Sequence, residues 1–315
     1  MTLHQIEKDV FLGSPFVHKF KPDYYPGIIN AALNNPHLFD DITRLKTEIL
    51  KKEKMDSIPE NLNDYYGLIN TNMDNDKQYD SKEVADVLSD VEKFRYFFKE
   101  MGASLKFNPL SRSRSAIHIR ERANTLIHKF GRLIKPKALL IYVNVSIDNS
   151  HLFIQGTDFY FASKKLSTYF SESDKNNSTQ TKNRTLKRMV LYVVTIGPGI
   201  DDTVKELGKE GEMFDSYILN GIGAAAAEMV AEDLNNYLNN NLTGVSSGLR
   251  YQRFSPGYGD WLVNDQEKIF KILKPEKRIG VILNEGHIML PEKSTSGIMG
   301  LKTFDNKSNF HSGAE

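Results

Sequence analysis

Residues 253–261 read Arg253-Phe254-Ser255-Pro256-Gly257-Tyr258-Gly259-Asp260-Trp261. Pro256-Gly257 is a turn dipeptide, and Gly259 supplies a second position that tolerates an unusual backbone. Two bends in so short a span bring backbone N–H groups close to whatever lies inside them. Arg253 places a permanent cation at the mouth of the loop, and its planar fork matches a carboxylate through two parallel hydrogen bonds. Tyr258 and the chain's single tryptophan, Trp261, stand at the exit and offer flat faces to a heterocycle or a cation. The competing reading is a surface loop whose aromatics plug a core.

Upstream, Gly211 to Leu238 is the longest predicted helix, with Phe214, Tyr217, Ile218, Ile222, Ala225 and Met229 recurring at three and four. Gly221, Ala224 and Glu228 fall on one side of it. Small residues there admit another element closely, and a carboxylate projects beside the gap. A buried Glu228 needs a partner; the alternative is a solvated glutamate at the edge of the packed stripe. Asparagines from Asn235 to Asn241 end the helix.

Apolar runs at Ala138–Val145 and Met189–Thr195 predict buried strands, with Leu152–Ile154 neighbouring the first. Gly197-Pro198-Gly199 turns the chain into a short helix capped by Asp201-Asp202. Ser171–Lys187 is a polar, exposed insertion. Asp265–Leu273 reads as a short helix and Ile279–Leu283 as a strand. Lys293–Gly297 reads as a turn of small polar residues whose backbone donors line a site, with a surface loop as the rival reading. Residues 1–105 read as a polar helical extension. It holds a helix at Asp41–Lys51, a loop at Asp56–Lys77, and a helix capped by Ser81 that carries Val84, Val87, Leu88, Val91 and Phe94. Residues 106–115 read as a linker or a domain's leading edge, and Ala116–Leu133 is helical.

With 315 residues, 40% of them hydrophobic and 26% charged, the chain is a soluble globular protein of two modest domains or one large one. A net charge of +1 gives no general reason to expect nucleic acid or an anionic membrane as partner. The absence of cysteine removes disulfides and thiol catalysis. No basic segment followed by an apolar run opens the sequence, so no signal peptide is expected and the cytoplasm is the default.

A ligand carrying a carboxylate, a positive centre and a purine would use every group of the 253–261 loop, and S-adenosylmethionine has all three. The loop resembles the ligand loop of the activation (reactivation) domain of cobalamin-dependent methionine synthase, in its standalone form. Further matches follow in order: Phe161-Ala162-Ser163-Lys164-Lys165-Leu166, Thr195-Ile196-Gly197-Pro198-Gly199-Ile200-Asp201, Ala227-Glu228-Met229-Val230-Ala231-Glu232, Leu283-Asn284-Glu285 and Pro291-Glu292-Lys293-Ser294-Thr295-Ser296-Gly297-Ile298. The resemblance covers roughly residues 115–305.

It implies an α/β (α+β) fold, a twisted and mainly antiparallel sheet flanked by helices, over residues 106–306. Residues 1–105 are then an N-terminal extension and 307–315 a tail. It also implies a function: presenting S-adenosylmethionine to a corrinoid-binding methyltransferase whose cobalt has been oxidised to cob(II), with an electron from a flavodoxin- or ferredoxin-like donor. Cobalamin is met only through that partner. The residues it assigns to the ligand are Glu228, Arg253, Ser255, Pro256, Gly257, Tyr258, Ser296 and Gly297. The chain departs from the pattern in lacking a cysteine-rich tail, and in having Ile298 and Met299 where the methionine synthase domain has aromatics.

Other motifs carry less. Gly221-Ile222-Gly223-Ala224-Ala225-Ala226 fits a dinucleotide-binding pattern, but a helical period precedes it instead of a buried strand. A nicotinamide-dependent enzyme rests on that pattern alone. The eight histidines show no His-Glu-x-x-His spacing, so no metal site is expected. There is no phosphate loop, and no Asp-x-His-x-x-Gly, the motif that supplies a cobalt-ligating histidine. The main alternative function is a non-catalytic binding or scaffold protein that keeps the fold.

Overall fold

The long apolar run near residue 140 forms the spine of a sheet. In a computed structural model that describes residues 14–21, 23–34, 36, 81–171, 187–241 and 249–303, it becomes β2 (Lys137–Asp148). The helix expected at Asp41–Lys51, the loop at Asp56–Lys77, most of the insertion after Ser171 and the tail lie outside the described residues. The chain divides into two compact units, one of residues 1–21, 135–201 and 230–315, the other of 22–134 and 202–229.

The first unit is built on a seven-stranded sheet. Its strands are β1 (Phe16–Lys19), β2, β3 (His151–Ile154), β4 (Tyr160–Ala162), β5 (Lys187–Thr195), β6 (Leu249–Phe254) and β9 (Ser294–Thr303). Their order is β4-β3-β2-β5-β9-β6, with β1 beside the start of β2, and all pairings are antiparallel. Part of the N-terminal hundred residues is therefore built into the sheet. A separate hairpin pairs β7 (Ile282–Leu283) with β8 (Met289–Leu290).

Alternation along the strands sends Leu139, Ile141 and Val145 of β2, Met189, Leu191 and Val193 of β5, and Ile298 of β9 into one core. Phe161, Leu166, Phe170, Trp261, Ile269 and Leu273 close that core; Leu166 and Phe170 come from α4 (Lys164–Ser171), Trp261 from the end of the 253–261 stretch, and Ile269 and Leu273 from α7 (Gln266–Leu273). Each such side chain contributes roughly 1.5–3 kcal/mol on burial. The expected strand at Ile279–Leu283 is shorter than its sequence suggested. Pro275 opens a helical turn, α8 (Pro275–Ile279), and Gly280, at φ 77°, ends it with its N–H on Pro275 O, leaving only two residues of strand.

The second unit is helical. It contains α1 (Tyr24–Asn34), α2 (Ser81–Leu105), α3 (Arg114–Phe130), most of α5 (Gly199–Lys209) and residues 213–229 of α6 (Met213–Asn240). α1 packs on α2 and α3. Ser113 caps α3, its hydroxyl accepting from Ala116 N at 3.2 Å. The buried Arg120 guanidinium donates to Ser111 O at 2.9 Å and to Pro109 O, so the linker before α3 is fastened to the helix it precedes. The close approach expected at Gly221 is present: a Cβ there would stand 2.5 Å from the Leu105 side chain. Arg122 grips Asp215 with two parallel hydrogen bonds, which hold the Asp215 carboxyl below its ordinary range. No described helix is long and apolar enough to cross a membrane.

Candidate functional site

Arg253 is not a loop residue. It sits in β6, opposite Met299 of β9, where Leu249 to Phe254 pair with Ile298 to Thr303. Directly opposed side chains share a face. On the next strand pair Tyr192 of β5 lies opposite Gly297. Arg253, Met299, Gly297 and Tyr192 thus share one side of the sheet, while Phe254, Ile298, Ser296 and Gly300 share the other. A strand fixes the Arg253 stem far better than a loop would. Its side chain is 16% exposed, and Nε lies 3.5 Å from Oε2 of Glu232 on the last part of α6.

β6 ends at Phe254 and the chain leaves as the 255–261 turn. Over Ser294 to Gly297, β9 keeps its pairing with β5 but has no β6 partner. The segment read as a turn at Lys293–Gly297 is therefore mostly strand. Ser294, Thr295 and Ser296 extend the ladder up to the point where the turn departs, held there by their pairing with Val193 to Thr195 of β5. Its two named residues serve opposite faces. Ser296 is buried, and its hydroxyl donates to Gln266 Oε1 at 3.1 Å on the core side. Gly297 faces the Arg253 side, and a Cβ there would meet Phe254 O at 2.1 Å and Tyr192 Oη at 2.9 Å.

The turn is closed by its own backbone. Gly257 N–H donates to Trp261 O at 2.8 Å, Tyr258 N–H to Ser255 O at 3.2 Å and Trp261 N–H to Tyr258 O at 3.1 Å. These donors are spent inside the loop instead of lining it. Gly257 and Gly259 adopt φ of 93° and 64°, the two permissive positions that the sequence marked. Ser255 Oγ is 3.4 Å from Tyr192 Oη. Pro256 is partly buried, and Tyr258 is 65% exposed, its ring 6.1 Å from that of Phe254. Trp261, expected to offer a face to a ligand, is instead 1% exposed. It lies edge-on to Phe161 and donates Nε1–H to Asp265 at 2.9 Å. The reading in which an aromatic plugs the core holds for Trp261 and not for Tyr258.

Asp260 anchors the loop. Its carboxylate accepts from Ser163 Oγ at 2.6 Å and from Lys164 N at 2.8 Å, capping α4 from a distance of nearly a hundred residues. The Ser163 hydrogen bond, ahead of the backbone donors, holds the Asp260 carboxyl below its ordinary range. A second clamp joins Asp201 to the start of β9: its carboxylate accepts from Glu292 N at 2.6 Å and lies 3.4 Å from Lys293 Nζ. Four of the short stretches picked out in the sequence therefore meet in pairs, 161–166 with 253–261 and 195–201 with 291–298.

Glu228 sits on α6, partly buried and one helical turn before Glu232. Glu232 closes the matched 227–232 stretch, but neither it nor Tyr192 is assigned to the ligand from the sequence. Among the described residues no group of histidine and carboxylate side chains could hold a metal ion.

Residues 164–311 match the family described as vitamin B12 dependent methionine synthase, activation domain. Among solved structures, one described as the crystal structure of the MetH reactivation domain bound to AdoHcy aligns at 15% identity and a TM-score of 0.47. The alignment covers 62% of this chain and 67% of that one. No curated protein matches the chain. Over residues 164–311 the chain is similar to the activation domain of vitamin B12 dependent methionine synthase.

Proposed function

We propose that the chain binds S-adenosylmethionine on the Arg253 side of β6 and β9 and presents its methyl group to an oxidised corrinoid. That corrinoid is carried by a partner methyltransferase of the methionine synthase kind. The observation that carries this reading is the placement of Arg253. A guanidinium held on a strand stands at the root of a turn that presents an exposed tyrosine, within a segment similar to an activation domain. Arg253 takes the ligand's carboxylate, and the Tyr258 face takes its purine. Ser255, Pro256 and Gly257 shape the near wall, Gly297 and the Ser296 backbone the far one.

The residues fit a ligand that brings its own leaving group. A sulfonium needs no protein acid or base to release a methyl group. The chain's contribution is orientation. The corrinoid on the partner supplies the metal nucleophile, and a flavodoxin- or ferredoxin-like donor supplies the electron. The proposed setting is the cytoplasm.

Calorimetry of the whole chain with S-adenosylmethionine, S-adenosylhomocysteine, cobalamin and NAD tests the reading. Binding of the first two and neither of the others is expected. Tight NAD binding with no response to S-adenosylmethionine would overturn it.

A further inference from the structure

α6 carries Glu232, Asn235 and Asn239 at positions i, i+3 and i+7, which places them on one stripe of the helix. Asn239 fixes where that stripe points. Its Nδ2 donates to Tyr251 O at 3.2 Å and its Oδ1 accepts from Tyr251 N at 2.6 Å. These are main-chain groups of β6, the last strand in the sheet order, so the stripe runs along the outer edge of β6, two residues from Arg253. The same stripe therefore meets Arg253, and Glu232 Oε2 stands 3.5 Å from its Nε. Glu232 is two-thirds buried, so it is not a swinging surface carboxylate.

A guanidinium has two forks, one formed by Nε with an Nη and one by the two Nη atoms. An anion at ion-pair distance from Nε, longer than a hydrogen bond, draws that side of the group towards α6 by charge, and a second carboxylate would meet the Nη atoms, end-on. Removing the anion would have two opposed effects. The net positive charge facing a ligand carboxylate would rise, and the orientation of the fork would be lost. The contact is at ion-pair distance on the stem side of the guanidinium, and the Asn239 clamp prevents the helix from sliding away. That arrangement suits holding better than blocking.

We propose that Glu232 is the positioning residue of the ligand site: it orients Arg253 so that the end of its guanidinium receives the carboxylate of an amino-acid-bearing nucleoside. This rests on the reading of Arg253 as the carboxylate holder. Glu232 acts through Arg253 and does not touch the ligand itself.

The test is calorimetry on the full chain with S-adenosylhomocysteine and with 5′-methylthioadenosine, which lacks the amino-acid carboxylate. Glu232→Gln should weaken the first by about tenfold and leave the second unchanged. In an Arg253→Lys background the same change should add nothing. Unchanged or tighter S-adenosylhomocysteine binding in Glu232→Gln overturns the proposal. So does an equal loss for methylthioadenosine, or an undiminished loss on the Arg253→Lys background. Failure of the wild type to bind either nucleoside removes the underlying reading, and the positioning role with it. Circular dichroism controls for folding. Should Glu232→Gln not fold, Glu232→Asp, which keeps the charge and shortens the reach, is read in the same way.

Discussion

The two faces of β9 show how one strand serves two purposes. On one side Ser296, Ile298 and Gly300 meet Gln266, the main core and Phe170. On the other, Gly297 and Met299 lie beside Tyr192 and Arg253. Neighbours in sequence therefore answer to different constraints. The core face is closed by side chains, which can shift a little. The Arg253 face is closed at Gly297 by a backbone carbonyl, which cannot. Stability and binding should separate along this line, and substitutions on either side of it can break the distinction.

The largest effect is expected at the glycines. Gly297→Ala would drive a Cβ to 2.1 Å from Phe254 O, and should destabilise the sheet unit by about 3 kcal/mol, at the upper end for overpacking. Gly300→Ala meets the Phe170 ring at the same 2.1 Å. A ring can pivot, so this change should cost about 1–2 kcal/mol. Denaturant midpoints measure both, and the reverse order would erase the contrast between a rigid wall and a yielding one.

Next comes Arg253→Lys. An ammonium cannot reproduce a two-pronged contact. Losing a charge-assisted hydrogen bond of roughly 1.5–3 kcal/mol should weaken S-adenosylmethionine binding ten- to a hundredfold. The melting temperature should stay put. Unaltered affinity would take the carboxylate contact out of the account.

Ser296→Ala sharpens the comparison from the core side. It removes the hydroxyl that donates to Gln266, and should lower stability by about 1 kcal/mol with ligand affinity intact. A fall in affinity without a fall in stability would place the Ser296 hydroxyl in the site after all.

The smallest effect concerns Asp260 and depends on pH. Its folded carboxyl titrates below the ordinary 3.8, chiefly because Ser163 donates to it. A depressed carboxyl contributes stability that is present above about pH 4 and lost as pH falls through its folded value. Asp260→Asn should therefore melt slightly below wild type at neutral pH, with the gap closing as pH falls through the depressed folded value. A gap that persists in acid would mean that Asp260 acts through shape and not charge.

The sheet was readable because Ala138–Val145 and Met189–Thr195 are apolar on both faces, as strands buried on both sides must be. The long helix declared itself through its period, and the 255–261 turn through its glycines. β6 stayed hidden because an edge strand reading Leu-Arg-Tyr-Gln-Arg-Phe has polar residues on each side, so alternation gives no apolar face. Ser294–Ser296 looked like a turn because small polar residues suit both states, and only the partner strand β5 decides between them. Tyr192 was concealed by its neighbours, all core residues. Glu232 could not be distinguished from a solvated glutamate, because its partner is twenty-one positions away on an element that the sequence did not reveal. Long-range capping by Asp260 is invisible for the same reason: the signal lies in a pair, and neither member is unusual alone.

Trp261 turns this geometry into a built-in optical probe. It is the chain's single tryptophan, 1% exposed, bonded to Asp265 and edge-on to Phe161, all within the sheet unit. Its emission reports the unfolding of that unit alone, whereas far-ultraviolet circular dichroism is weighted towards the helices of the other. Following both signals through one denaturation curve therefore tests, without any label, whether the packing around Trp261 and the helices are lost together. Because Trp261 follows the Asp260 anchor directly, the same emission registers any change at the base of the loop when a ligand binds.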